Sequence, residues 1–199
     1  KDLQEYNIRK QHELNRAITD EQVVDSYLEN VLYPMENPTN KGFRNGKYYV
    51  YSDKSADSKT GSDYNIGPGI NKYSEMGSKL TYNNEVGYTK EELNSIIRED
   101  LLEKMAEIRH DLVDMYGEDT DTISLGNRMI LLDISHNVRP RGKKKGNMPK
   151  AWPSLVEGMV TGDKNKIEKN TYSGSTRRQN MGNDLIFKNL VTPTTVINK

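Results

Sequence analysis

Two acidic side chains, Glu36 and Asp53, bracket the part of this sequence with the most chemical potential. Glu36 closes an apolar-periodic segment at Met35-Glu36-Asn37-Pro38. Asp53 follows the tyrosine-rich run Lys47–Ser52, and Tyr64-Asn65-Ile66 then leads into Gly67-Pro68-Gly69. Two carboxylates held across a small β-hairpin can drive acid-assisted cleavage of a glycosidic bond. One protonates the leaving oxygen, while the other activates a water or stabilises an oxocarbenium-like centre. The C-terminal end of a helix disfavours negative charge, which is the setting a general acid needs in order to keep its proton. Each residue also has a plainer reading, Glu36 as an exposed helix-end glutamate and Asp53 as a turn residue.

The elements that must position these groups follow from periodicity and punctuation. Residues 1–18 are charged and weakly periodic, a helix or linker peripheral to the core. Thr19 and Gln22 have capping-box spacing. Val23, Val24, Tyr27, Leu28, Val31, Leu32 and Met35 then recur at helical spacing, with Glu29 on the opposite, solvent-facing side. Pro34 is expected to kink the last turn, and Asn37-Pro38 to end the helix. Asn40–Gly46 is turn-rich, Lys47–Ser52 reads as one strand, Lys54–Asp63 as a polar loop, and Tyr64–Ile66 as the return strand.

A second capping box, Thr89 with Glu92, opens a long amphipathic helix marked by Leu93, Ile96, Ile97, Leu101, Met105, Ile108 and Leu112 and stopping near Gly117. A helix of that length commonly bridges two lobes. Met129–Ile134 reads as a buried helix ending at His136-Asn137. Trp152-Pro153 starts a short helix with Leu155, Val156, Met159 and Val160 on one face. A last helix runs from Gly174 through Met181 and Leu185, and a loosely ordered tail begins at Val191.

Composition bounds the function classes. Leu, Ile, Val and Phe make 41 of 199 residues, close to the floor of roughly one-fifth for folded chains. Zero net charge and twelve tyrosines argue against disorder. Without cysteine there is neither a disulfide nor a thiolate metal site. His12, His110 and His136 are too scattered to suggest a metal cluster, and no cofactor is implied. His136 reads as a structural histidine before a catalytic one. No apolar run approaches the roughly 20 residues of a membrane span, and no signal peptide is visible. The opening Lys1 is what a trimmed or processed chain would show.

The charge is unevenly spread. Residues 139–199 carry 13 Lys/Arg against 4 Asp/Glu, a net of +9, and residues 1–138 carry 16 against 25, a net of −9. Such a basic part suits a polyanion such as a bacterial wall, or simply a solvated surface. The segment Arg139–Lys150 lacks interleaved aromatics for base stacking, so no specific nucleic acid is expected.

Six motifs in order, spanning about Thr19 to Phe187, resemble the phage-type lysozymes (muramidases of the glycoside hydrolase 24 kind). They are Met35-Glu36-Asn37, Tyr51-Ser52-Asp53, Asn65-Ile66-Gly67-Pro68-Gly69-Ile70, Thr89-Lys-Glu-Glu92, Leu131 to Val138, and Gly174-Ser-Thr-Arg177-Arg178. The resemblance implies an α+β fold, mostly helical, with a β-hairpin lobe at about 37–72, a long connecting helix, a helical lobe at about 118–190 and a cleft between the lobes. It implies hydrolysis of the β-1,4 bond between N-acetylmuramic acid and N-acetylglucosamine, with inversion. Glu36 would be the general acid, Asp53 would stabilise the transition state or position water, and Asn65 would orient that water. Tyr51, Gly67, Gly69, Asn137 and Arg177 would contact the glycan.

Peptidoglycan strands and phage virion proteins are the implied partners of a monomeric domain, in the virion or the host cytoplasm and acting on the bacterial wall. A catalytically inactive structural or wall-binding domain with the same fold is the alternative. The chain departs from the family's pattern at Asn65, where the family has threonine, and at Ile70, where it has histidine. An apparent insertion also lengthens Pro38–Asn45, and Tyr51 is a second candidate for the aspartate's place.

Overall fold

The computed structural model describes residues 2–52, 64–117, 122–137 and 152–171, together with Asn180 and Asp184. Asp53 and the loop after it, the basic loop with Lys143, Lys144 and Lys145, Arg177, the helix through Met181 and Leu185, and the tail lie outside the described residues. Helices combine with small antiparallel sheets in an α+β architecture. No helix among the described residues is long and apolar enough to cross a membrane. The chain divides into two compact units, one of Lys1–Val24 with Glu103–Lys199 and one of Asp25–Leu102.

Helix α1 (Asp2–Arg16) is exposed along most of its length, and only Asn15 is buried. Both capping boxes form. Thr19 N–H donates to Gln22 Oε1 at 2.9 Å, and Gln22 N–H donates back to Thr19 Oγ1 at 3.2 Å, ahead of α2 (Asp20–Tyr27). Thr89 and Glu92 exchange the same pair at 2.8 and 3.1 Å and open α4 (Lys90–Tyr116), which stops at Gly117. Of the expected stripe on α4, Leu93, Ile97, Leu101, Met105, Ile108 and Leu112 are buried and Ile96 is half-buried.

The helix expected to run unbroken to Glu36 changes its winding. After α2, residues Leu28–Leu32 form a π-helical turn in which Tyr33 N–H reaches back five residues to Leu28 O, and α3 (Tyr33–Glu36) follows. Pro34 has no N–H to give, and its ring clashes with the carbonyl four residues earlier. A widened turn relieves that clash. The widening also shifts the phase. Leu28, Leu32 and Glu36 would share one face of a regular α-helix at a spacing of four. With an extra residue in the turn, Tyr33 takes over the face of Leu28 and Asn37 follows it inward. All seven residues of the expected stripe are buried, and Tyr33 and Asn37 join them. Glu36 is left half-buried, and Glu29 is exposed and paired with Lys90 at 2.8 Å.

The run Lys47–Ser52 is two strands in two sheets. β1 (Phe43–Arg44) and β2 (Lys47–Tyr48) form a hairpin about Asn45 and Gly46, both at positive φ, the geometry of a turn that Asn-Gly favours. Tyr48 also exchanges both backbone hydrogen bonds with Tyr88, at 2.7 and 2.9 Å. Beyond the break, β3 (Tyr51–Ser52), β4 (Tyr64–Ile66) and β5 (Ile70–Asn71) make a three-stranded antiparallel sheet in that order. Ile66 faces Ile70 across it, and both are buried. Where the family resemblance would put a histidine, Ile70 is therefore half of an apolar cross-strand pair.

In the other unit, α5 (Leu125–Asn137) buries Met129, Ile130, Leu131, Leu132 and Ile134 as expected. Arg128 gathers three backbone carbonyls: Ile123 O at 2.9 Å from Nε, Ile18 O at 3.1 Å from Nη1 and Asn15 O at 2.8 Å from Nη2. Asn15 Nδ2 donates to Thr122 O at 2.7 Å. These bonds fix the end of α1 to the approach of α5. Helix α6 (Pro153–Thr161) buries Leu155, Val156 and Met159, with Val160 half-buried. Helix α7 (Lys164–Asn170), absent from the sequence reading, is capped by Asp163 and anchored by buried Ile167.

Candidate active site

Glu36 is the last residue of α3, so its side chain leaves the helix where the backbone turns away. The β4–β5 turn packs against this point. A Cβ placed on Gly69 would stand in ordinary contact with Glu36 Cβ, at 3.9 Å, and Gly69 is held at φ +84°. Gly67, at φ +59°, has less room still, because an added Cβ would lie 2.5 Å from Leu93 Cδ1. The left-handed backbone and the close approach of α4 both demand glycine.

What ties the turn to the helix end is Asn37, only 3% exposed. Its Nδ2 donates to Gly67 O and to Lys41 O, both at 3.0 Å. Its Oδ1 accepts from Lys41 N–H at 2.7 Å. Both amide hydrogens and the side-chain oxygen are thus used, as burial of an amide requires. Tyr51 Oη donates to the same Gly67 carbonyl at 3.3 Å. The sequence marked Asn37 only as a helix breaker. Its long-range partners were not legible there, although an Asn directly after a helix-end glutamate is a turn-forming signal.

The sheet adds a row of polar side chains. Tyr51 stands opposite Asn65, and Asn65 opposite Asn71. Directly paired residues of an antiparallel sheet share a face. Tyr51, Asn65 and Asn71 therefore lie side by side on the face away from Ile66 and Ile70, and all three are half-buried. Asn71 was not singled out in the sequence. Its Oδ1 accepts from Tyr73 N–H at 2.9 Å, fixing the exit from β5.

Of the expected site residues, Glu36, Gly67 and Gly69 are brought together at one corner. Tyr51 joins them through the Gly67 carbonyl, and Asn65 stands beside Tyr51. Asn137, exposed at the end of α5, belongs to the other unit. Its Nδ2 donates to the Asp133 carbonyl at 2.9 Å and the Asp133 carboxylate at 2.8 Å. Asp53 and Arg177 lie outside the described residues.

Buried Tyr33 and half-buried Tyr82 lie in the same unit as the corner. Tyr33 Oη and Asn94 Oδ1 are 2.9 Å apart in a hydrogen bond that the hydroxyl donates. Burial above all, with Tyr48, Glu91 and Glu29 adding to it, pushes the Tyr33 hydroxyl well above the usual tyrosine range. Tyr82, whose hydroxyl donates to Ile70 O at 2.9 Å, is pushed the same way, chiefly by burial. Both are structural donors that stay protonated. No group of three or more acidic or histidine side chains suited to a metal ion occurs among the described residues.

No family model, no curated protein and no solved structure matches the chain. The functional reading therefore rests on the residues themselves.

Proposed function

We propose that this chain is a lysozyme-like muramidase, hydrolysing the β-1,4 bond between N-acetylmuramic acid and N-acetylglucosamine in peptidoglycan. The observation that carries the reading is the corner at Glu36. A half-buried helix-end carboxylate stands against a glycine turn, and a buried Asn37 locks that turn to the same helix end. A general acid must be held in place, and the Asn37 bond to the Gly67 carbonyl holds the turn beside Glu36 in place.

In the proposed reaction Glu36 gives its proton to the glycosidic oxygen as the bond to the anomeric carbon breaks, and the bonding pair leaves with that oxygen. A water attacks the anomeric carbon from the opposite face and passes a proton to Asp53, while Asn65 orients it through its amide. Tyr51, Gly67 and Gly69 border the reacting sugar. A water between the carboxyls calls for a Glu36–Asp53 separation of roughly 6.5–9.5 Å and gives inversion. The substrate is the bacterial wall, reached from a virion or from host cytoplasm, and the active species is a monomer.

Purified peptidoglycan incubated with the protein tests this reading. New reducing ends on N-acetylmuramic acid, with the α-anomer appearing first by NMR, are expected. A β-anomer formed first would indicate retention and remove the water-between-carboxyls scheme. Binding without any new reducing ends would favour a wall-binding domain that does not cleave.

A further inference from the structure

The sheet that carries Asn65 also carries an exposed aromatic and cationic surface that the proposed reaction does not use. Tyr64 is 50% exposed and Tyr73 69% exposed, and Lys72 between them is exposed as well. The Lys72 ammonium lies 5.7 Å from the Tyr64 ring centre and 5.8 Å from that of Tyr73. No carboxylate pairs with Lys72 among the described residues. The backbone beneath is fixed, because Lys72 N–H donates to Tyr64 O at 3.1 Å and Tyr73 N–H to Asn71 Oδ1 at 2.9 Å. Two tyrosine rings left in water with an unpaired cation between them do nothing for the core, and burying a polar-rimmed ring in a partner is favourable.

We propose that Tyr64, Lys72 and Tyr73 form a binding platform for a glycan strand that carries carboxylates. The apolar faces of pyranose rings pack on the two tyrosines, and the Lys72 ammonium pairs with an acidic substituent such as the lactyl group of N-acetylmuramic acid. Charge complementarity selects this occupant. A neutral glycan would satisfy the rings and leave the cation unused, whereas an acidic strand of alternating sugars satisfies both. Lys72 lies three residues beyond Gly69, roughly 10 Å along the strand at about 3.3 Å per residue. By strand alternation Tyr64 and Lys72 stand on the opposite face of the sheet from Asn65 and Asn71, so the platform is a surface of its own a short distance from Glu36. The inference deepens the muramidase reading and rests on it for the identity of the acidic sugar.

The test is calorimetric binding of two tetrasaccharides that differ in charge. One is chitotetraose, and the other is a peptide-free tetrasaccharide of alternating N-acetylglucosamine and N-acetylmuramic acid with free lactyl carboxylates. Both are titrated into Glu36→Gln protein, so that cleavage does not interfere, and into the same protein with a platform substitution added. Tyr64→Ala and Tyr73→Ala are each expected to weaken both ligands about tenfold, as loss of a ring stacked on a ligand does. Lys72→Gln should weaken only the acidic one, and its affinity should lose most of its dependence on salt. All three side chains are exposed, so an unchanged melting temperature should accompany each change.

Wild-type affinity in all three variants overturns the platform while leaving the Glu36 chemistry to stand on its own assay. Equal loss of both ligands in Lys72→Gln overturns the carboxylate pairing. Failure of the acidic tetrasaccharide to bind the parent protein overturns the platform outright. Tight, platform-dependent binding by a protein that cuts no peptidoglycan supports the platform and removes the muramidase reading.

Discussion

Asn37 and Arg128 solve the same problem in the two units, and the contrast separates a scaffold from a site. Each sends a polar side chain to backbone carbonyls far away in sequence. Asn37 joins a helix end to the Gly67 carbonyl, and Arg128 joins Ile18, Asn15 and Ile123. Around Arg128 the bonds hold helix ends together. Around Asn37 the same kind of bond holds the half-buried Glu36 against the glycine turn that carries Gly69, with a polar row of Tyr51, Asn65 and Asn71 on the adjoining sheet. A clamp does not reveal chemistry. The reactive group it holds does.

Mutations can break this contrast. Arg128→Met should be the most destabilising, by about 4 kcal/mol, because three bonds to a charged donor at the low end of about 1.5–3 kcal/mol each are lost and solvent offsets part of one. Cleavage per folded molecule should be unchanged, as urea titration alongside a wall-cleavage assay would show. Asn37→Ala should cost less stability, about 2 kcal/mol, from the loss of its bonds to Gly67 O, Lys41 O and Lys41 N–H. It should nevertheless reduce cleavage at least tenfold, since the turn beside Glu36 is released. A cleavage effect from Arg128→Met equal to that of Asn37→Ala would erase the distinction between the two corners.

The smallest effect concerns pH. The folded-state pKa of Tyr33 is raised above the ordinary value of about 10, so folding favours the neutral phenol. That contribution is fully present below about pH 10 and is lost as pH climbs from there toward the folded pKa. Tyr33→Phe should cost about 1 kcal/mol at pH 7 through the lost bond to Asn94. It should also flatten the fall in stability above pH 10. Denaturant midpoints at pH 7 and pH 11 would check both.

Local signals in the sequence carried well into the structure. The capping boxes at Thr19/Gln22 and Thr89/Glu92 depend on residues three apart, and each formed as spaced. The apolar stripes of α4 and α5 depend on periodicity alone. Features set by distant partners did not show. The π-helical turn at Leu28–Leu32 answers to Pro34 and to packing, and it moves Asn37 onto the buried face where a regular helix would have put Glu36. The split of Lys47–Ser52 reflects the pairing of Tyr48 with Tyr88, forty residues on. Two local signals were underused, Asn45-Gly46 as a hairpin turn and Asp163 as the cap of α7. At the site, Glu36 and the glycine turn were legible by motif, but Asn37, which joins them, was legible only through its contact with Gly67.

The central claim is that Glu36 supplies the proton, and Glu36→Gln tests it most directly. The amide keeps the shape and hydrogen-bonding capacity of the carboxyl but has no acidic proton to give. General acid catalysis is typically worth about 10²–10⁴-fold. The rate of reducing-end release from purified peptidoglycan should therefore fall by at least two orders of magnitude, with the melting temperature unchanged or slightly raised. Glu29→Gln, on the exposed side of the same helical segment and paired only with Lys90 among the described residues, should cleave at close to the wild-type rate. Retained cleavage in Glu36→Gln, or its loss in Glu29→Gln, would contradict the account.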